Sequence, residues 1–429
     1  MARFLYSVVF SLLLPVILIR LLVRARKAPA YGERWLERFG LVKATAPEAQ
    51  DKDAIWFHTV SVGEFIAAIP LIEQVLAAYP DKHMVITTTT PTGSEQVKKR
   101  FADVLGKRLT HVYLPYDLPW FLSTFLRRIR PLLLVILETE LWPNLIHSCH
   151  KHGVKVLVAN ARLSERSAKG YGKVAKLSAQ MLSHIDCLAV QNSVDAQRFV
   201  DLGMKTSQMQ ITGSIKFDLT IKQDLLDQGA AWRRRWGEMR KVVIVASTHL
   251  GEDEIALHAF NELLSTTPNA MLVIVPRHPE RFDQVAKLIE SKHLRLVRRS
   301  QEGQLNEQTQ VLLVDTMGEL MQFLAASDVC IMGGSYVENG GHNPLEPAAL
   351  SVPILMGPSQ FNFLLICQQL ETAQGLLTVS EQDLAGALTA WLQDDALRVQ
   401  KGEQAKQVVD ANRGAKQKVF NLIAQHLEV

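Results

Sequence analysis

Short apolar runs separated by amphipathic helical patterns recur along most of the chain, and this rhythm constrains the fold more than any other feature. The first series reads "AIWFHTV", "MVITTTT", "THVYLPY", "LLLVILE", "KVLVAN", "CLAVQN" and "MQITGS". A second follows with "VVIVAST", "AMLVIVPRH", "LRLVRR", "QVLLVDT" and "VCIMGGS". The runs are rich in Val, Ile and Leu, the composition of parallel strands covered on both faces, and strands alternating with helices build doubly wound α/β domains. With 429 residues, 48% of them hydrophobic, the chain can fill two such cores. The charged segment "DLLDQGAAWRRRWGEMRK" interrupts the rhythm and predicts a linker over residues 221–240. The expected architecture is two Rossmann-like domains, residues 28–220 and 241–429, facing a cleft.

Ahead of them, "FLYSVVFSLLLPVILI" from Phe4 to Ile19 is continuous with "RLLVRARK" and gives an apolar segment that reaches Val23 if Arg20 snorkels. It predicts a membrane anchor over residues 1–27. A cleaved signal peptide is the rival reading, because "APA" at residues 28–30 offers a small-residue cleavage site. Charge favours the anchor: Arg20, Arg24, Arg26 and Lys27 follow the apolar run, whereas a signal peptide carries its charge in front. The same residues keep the body of the protein on the cytoplasmic side of an inner membrane.

Basic and acidic side chains are nearly balanced, 47 against 43, which argues against a general nucleic-acid binder. Cysteines at 149, 187, 330 and 367 form no C-x-x-C pair, so reduced thiols in the cytosol are expected. The run "HSCHKH" (His147, Cys149, His150, His152) lacks closed metal-ligand spacing and reads as a solvated helix face.

Polar clusters fall just after the predicted strands, where open α/β sheets collect ligand groups. In the first half they are Ser61 to Glu64, Thr87 to Gly93, Glu138 to Asn144, Asn160 to Ser164 and Gly213 to Lys216. The second half has Ser247 to His249, Pro276 to Pro279, Met317 to Glu319 and Gly333 to Glu346. Ser61 and Glu64 have the spacing of a capping box, so the start of a helix alone would account for both. Asn343 and Pro344 suit an N-cap and first turn, and Glu346 is either the reciprocal capping partner or a ligand for ribose hydroxyls. G-x-G-x-x-G is absent, which argues against a dinucleotide oxidoreductase.

Seven blocks, "HTVSVGE", "TTTTPTGSE", "ETELWPN", "NARLSERS", "TGSIKFD", "PRHPERF" and "GGSYVENGGHNPLEPA", occur in an order and spacing that closely resemble the 3-deoxy-D-manno-octulosonic acid (Kdo) transferases of lipopolysaccharide synthesis. The resemblance runs from the anchor to about residue 360 and implies a GT-B glycosyltransferase fold, with the acceptor site in the first domain and the CMP-sugar site in the second. The implied reaction is inverting transfer of Kdo from CMP-Kdo to the lipid A precursor, a tetraacyldisaccharide bisphosphate (lipid IVA). Neither cofactor nor metal is expected. By resemblance, Glu64 is the catalytic base, and Glu138 and Lys216 lie beside the reacting centre. Pro276 with Arg277, Met317–Gly318–Glu319, and Asn343–Pro344–Leu345–Glu346 are the implied CMP contacts. Glu138 also reads as a structural ion-pair partner of Arg162 or Lys216, and Glu140 ranks below it. The mixed basic and apolar segment "LVRARKAPAYGERWLERFG" is the candidate for acceptor contact, or a plain juxtamembrane segment. By similarity the last helices finish the second domain and cross back to the first. Competing readings are another GT-B transferase with a UDP-sugar donor, or a nucleotide-binding scaffold without turnover.

Overall fold

The computed structural model describes residues 1–43 and 54–428, with residues 302–304 described as backbone alone. Residues 44–53, ahead of the first strand, lie outside the described residues. The chain divides into two compact units, residues 1–215 together with 413–429, and residues 216–412.

The first unit is built on β1 (Ala54–His58), β2 (Met84–Thr88), β3 (Leu109–Tyr113), β4 (Pro131–Leu137), β5 (Lys155–Ala161), β6 (Cys187–Val190) and β7 (Met209–Ile211). They form one sheet in the order β3-β2-β1-β4-β5-β6-β7, with every pairing parallel. Side chains alternate between the two faces of a strand, and in β1 through β6 both faces are nearly dry. Trp56, Leu134 and Val156 join one core layer with Phe125 and Ile146. Their neighbours Ile55, Phe57, Leu133 and Val135 join the other, with Phe65, Leu71 and Ile72 from helix Val62–Ala78. Two buried faces explain why the sequence shows continuous apolar runs and no hydrophobic/polar alternation. The C-terminal helix Ala415–Leu427 adds Val419, Leu422 and Ile423 to that second layer. Phe65 is fully buried one residue after Glu64, so the core fixes where the helix begins; truncating such a side chain costs ~3–5 kcal/mol.

The second unit carries β8 (Val242–Thr248), β9 (Met271–Pro276), β10 (Leu296–Arg298), β11 (Val311–Leu313), β12 (Val329–Met332), β13 (Ile354–Met356) and β14 (Leu376–Thr378). The order is β10-β11-β9-β8-β12-β13-β14, again all parallel. The stretch expected as a linker contains helix Gln223–Trp236. Trp232 and Trp236, four apart and so on one helix face, pack their rings 5.1 and 6.1 Å from Phe323, which makes this charged segment part of the second core. The last two strands, three residues each, escaped the sequence reading because such short runs carry no period.

In the first sheet the strand order reverses between β1 and β4, and the second sheet has its central switch point between β8 and β12. Crevices outside the carboxyl ends of strands at such switch points are where open α/β sheets bind ligands. The segments leaving β1, β4, β8 and β12 are Ser61–Glu64, Glu138–Glu140, His249–Glu252 and Gly333–Tyr336.

Candidate functional site

In the first unit, Ser61 caps helix Val62–Ala78 by accepting from the Glu64 N–H at 3.2 Å. The Glu64 carboxylate turns back: one oxygen accepts from the Val60 N–H at 2.8 Å and the other from the Ser61 hydroxyl at 2.9 Å. The capping reading of the sequence is therefore realised in the geometry. Burial raises the Glu64 carboxyl above its ordinary range against these hydrogen bonds, and the nearby charge of Glu138 adds to the rise. A cap and a proton acceptor are compatible in one side chain.

Glu138 leaves β4 with φ of 58°, a left-handed conformation that is costly for a residue with a side chain. Its N–H donates to the Ala159 carbonyl at 2.9 Å, and Arg162 sits 3.2 Å from its carboxylate. Thr139 accepts from the Arg162 N–H at 3.3 Å and donates its hydroxyl to the Arg162 carbonyl, so the segments after β4 and β5 are tied together. Glu140 completes a set of three carboxylates. Its carboxyl is pushed up to about 7, first by burial and then by the charges of Glu64 and Glu138. At neutral pH this group sits between its two protonation states, a property the sequence ranking below Glu138 did not anticipate.

The basic segment proposed for acceptor contact is largely built into the fold. Arg34 pairs with Glu37 at 2.7 Å and stacks 4.6 Å over Tyr113. Arg38 is buried, stacks 4.3 Å over the same ring and donates to the Thr89 carbonyl at 3.1 Å. Arg24, Arg26 and Lys27 remain exposed.

In the second unit, Gly333 and Gly334 follow β12. A Cβ on Gly333 would stand 2.4 Å from the Ser247 carbonyl, and Gly334 has φ of 70°, so both positions need glycine. The loop is braced by Glu252, which is 2% exposed. One of its oxygens accepts from the N–H groups of His249 (2.9 Å) and Gly334 (2.7 Å), the other from those of Ser335 and Tyr336 (3.0 Å each). Asp253 beside it accepts from the Thr248 hydroxyl at 2.6 Å and pairs with Arg281. His249 and His342 are 2.8 Å apart, nitrogen to nitrogen, with nearly parallel rings. Burial, then His249 and Arg277, lower His342 to about 4, so this pair is neutral near pH 7. Asn343 accepts from the Leu345 N–H at 3.1 Å, and its amide lies 3.4 Å from Glu346, whose carboxyl is raised by burial.

Two sequence models match the chain: "3-Deoxy-D-manno-octulosonic-acid transferase (kdotransferase)" over residues 33–219 and "Glycosyl transferases group 1" over residues 239–408. The 3-deoxy-D-manno-octulosonic acid transferase of Haemophilus influenzae is 41% identical over 431 residues, covering 100% of this chain and 99% of its own length. The chain belongs to the Kdo transferase family. The enzyme of the same name from Bordetella pertussis is 34% identical and covers 85% of each chain. Among solved structures, UDP-GlcNAc 2-epimerase from Neisseria meningitidis bound to UDP-GlcNAc matches with TM-score 0.56 at 13% identity, covering 88% of this chain and 99% of that one, a likeness of fold alone. The chain is thus a glycosyltransferase with two parallel-sheet α/β units and an N-terminal apolar helix at residues 2–27.

For a Kdo transferase, the residues singled out by sequence fall into two groups. Glu64 and Glu138 come together in the first unit, near enough for their charges to interact. Lys216 is the first residue of the second unit, and its ammonium lies 5.6 Å from the Phe363 ring centre. Pro276 ends β9, Arg277 is exposed, and the charge of Arg277 acts on Glu346. Met317 is exposed, Gly318 has φ of 87°, and the Glu319 carboxylate is occupied by Arg299 (2.8 Å), Gln322 (2.8 Å) and Thr316. Pro344 and Leu345 are buried, Leu345 completely, and supply backbone and core to the loop. Helix Pro143–Lys151, expected as a solvated face, is half buried: Cys149 is fully buried and His150 stacks 4.3 Å from His184. No group of three or more His, Cys, Asp or Glu suited to a metal occurs among the described residues. The sequence reading missed Glu252 and Asp253; the signal was available in "STHLGEDE", where Glu252 follows His249 by three, the spacing of a reciprocal cap.

Proposed function

We propose that this Kdo transferase moves Kdo from CMP-Kdo to a hydroxyl of the lipid A precursor, lipid IVA, with inversion, at the cytoplasmic face of the inner membrane. The observation that carries the reading is Glu64, a half-buried carboxylate of raised proton affinity at the switch point of the first sheet. In the reaction the acceptor oxygen forms a bond to the anomeric carbon as the bond from that carbon to the CMP phosphate breaks. The hydroxyl proton passes to Glu64, which contributes ~10²–10⁴-fold. Attack opposite the departing phosphate inverts the anomeric centre. Glu138, oriented by its left-handed backbone and by Arg162, supplies negative charge to the oxocarbenium-like centre. CMP leaves with a single phosphate, so Arg277 and Lys216 offset its charge, while Met317 to Glu319 and Asn343 to Glu346 hold the nucleotide.

The blocks "SVGE", "ETE", "SIKF", "PRH" and "NPLE" occurring together support turnover over a scaffold role. Arg20, Arg24, Arg26 and Lys27 at the end of the apolar helix support cytoplasmic placement of both units. The test is incubation of the full chain with CMP-Kdo and lipid IVA, followed by mass measurement of the lipid and assay of free CMP. The expected result is lipid heavier by one or more Kdo units with matching CMP release, inhibited by CMP and not by UDP. Intact CMP-Kdo after incubation with folded protein and acceptor would refute the reading.

A further inference from the structure

The N-terminal helix Ala2–Lys27 is long and apolar enough to cross a bilayer, yet its contacts with the first unit begin at its first turn. Arg3 donates to the Asn144 side-chain carbonyl at 3.2 Å, and Ser7 exchanges hydrogen bonds with the same amide at 3.0 and 3.2 Å. Asn144 is 0% exposed and is itself fixed by Asp117, which accepts from the Asn144 N–H at 3.1 Å and the Leu145 N–H at 2.7 Å. Near the other end Leu21 is buried, and a Cβ on Gly32 would touch Ala25 at 3.4 Å. From one end to the other the protected positions recur at 3, 6, 7, 10, 11, 14, 17, 18 and 21, a helical stripe. All the polar residues before Arg20, namely Arg3, Tyr6, Ser7 and Ser11, lie on this stripe.

A 26-residue helix is ~39 Å long, more than a hydrocarbon core of ~30 Å. If it crossed the membrane, its first turns would sit on the far side from the rest of the chain. Arg3 and Ser7 then could not reach Asn144. We propose that this helix lies along the surface of the first unit and in the plane of the membrane, seated in one leaflet and not crossing it. The opposite side of the helix fits that environment. Phe4, Leu12, Val16 and Ile19 are 60–73% exposed, a face for acyl chains, and Arg20, Arg24, Arg26 and Lys27 are exposed where the helix ends, matching anionic headgroups. An all-round apolar helix ordinarily cannot lie in the interface, because its inner side would meet water; here that side is covered by protein. Beside its first turns, Trp120 and Lys151 line a groove of about 500 Å³ with Phe4, Val8 and Leu12, again apolar and cationic groups together.

The inference rests on the membrane attachment proposed above and is separable from it. The four native cysteines are buried, so introduced ones report alone. Ala2→Cys in the full chain is exposed to a membrane-impermeant maleimide from outside intact spheroplasts and from the cytoplasmic face in inverted vesicles. Ser7→Cys with Asn144→Cys is oxidised in inner-membrane vesicles. The expected results are no labelling of position 2 from outside and a disulfide cross-link between positions 7 and 144 within one chain. Labelling from outside, with the protein in the membrane fraction, overturns the in-plane placement whether or not the double variant folds. So does a folded double variant that does not cross-link. Wild-type protein in the soluble fraction would overturn the membrane attachment itself.

Discussion

Glu252→Gln isolates the brace under the glycine loop of the second unit. Each carboxylate oxygen of Glu252 accepts two backbone N–H groups, so an amide in either orientation keeps one pair and points an NH2 at the other. Two charge-assisted bonds are lost at ~1.5–3 kcal/mol each, ~3–6 kcal/mol in all before relaxation. If movement of the loop recovers half of that, local opening still becomes favoured by at least about tenfold. The assay is amide hydrogen exchange of the peptide covering residues 333–337, compared between wild type and variant. Exchange there should accelerate by about tenfold or more, with β8 and β9 peptides unchanged and CMP affinity reduced. Wild-type protection of the loop in a folded Glu252→Gln protein would show that the four hydrogen bonds do not hold it, and the reasoning would fail.

Two further outcomes follow from the titrating groups of the first unit. Glu138→Gln removes a like charge that raises the Glu64 carboxyl, so the acidic limb of kcat/KM against pH should move to lower pH, whatever happens to the maximal rate; an unmoved limb would mean that the two carboxylates do not interact. His58 is fully buried, with its Nδ1 2.9 Å from the Thr87 hydroxyl, and burial lowers it to about 4. The unfolded chain takes up this proton first as pH falls below about 6.5, so the folding stability His58 supports is lost as pH drops toward the folded value. The stability difference between wild type and His58→Gln should therefore shrink by ~2–3 kcal/mol between about pH 7.5 and about pH 4.5, read from denaturant unfolding; a constant difference would contradict the burial argument.

The fold was legible where the physics is local and repetitive. Twelve apolar runs correspond to β1 through β12, most of them strands dry on both faces and therefore apolar nearly throughout. Glycines 333 and 334 could be picked out because a loop leaving a strand at close quarters demands them. What escaped depends on partners distant in sequence. Charged residues hid the helix carrying Trp232 and Trp236, whose role needs Phe323 some ninety residues on. Arg34 and Arg38 looked like a free basic patch until Tyr113 supplied the ring they stack on. The spacing of Glu252 from His249 suggests only a local cap, and its brace under residues 334–336 needs backbone some eighty positions away. Glu64 reads from its spacing as a cap and from the family resemblance as the base, and the geometry at the helix start is compatible with both.

That distinction is open to a single measurement, turnover of Glu64→Gln with saturating CMP-Kdo and lipid IVA. Glutamine keeps both local hydrogen bonds: its oxygen accepts from Val60, and its NH2 donates to the Ser61 hydroxyl, which reverses its role. Folding and CMP affinity should stay near wild type, because the capping box accepts either residue. With no carboxylate to take the acceptor proton, the rate should fall by at least about a hundredfold, ~3 kcal/mol of barrier. Near-normal Kdo transfer by a folded Glu64→Gln protein would contradict the account and leave Ser61 to Glu64 as the start of a helix and nothing more.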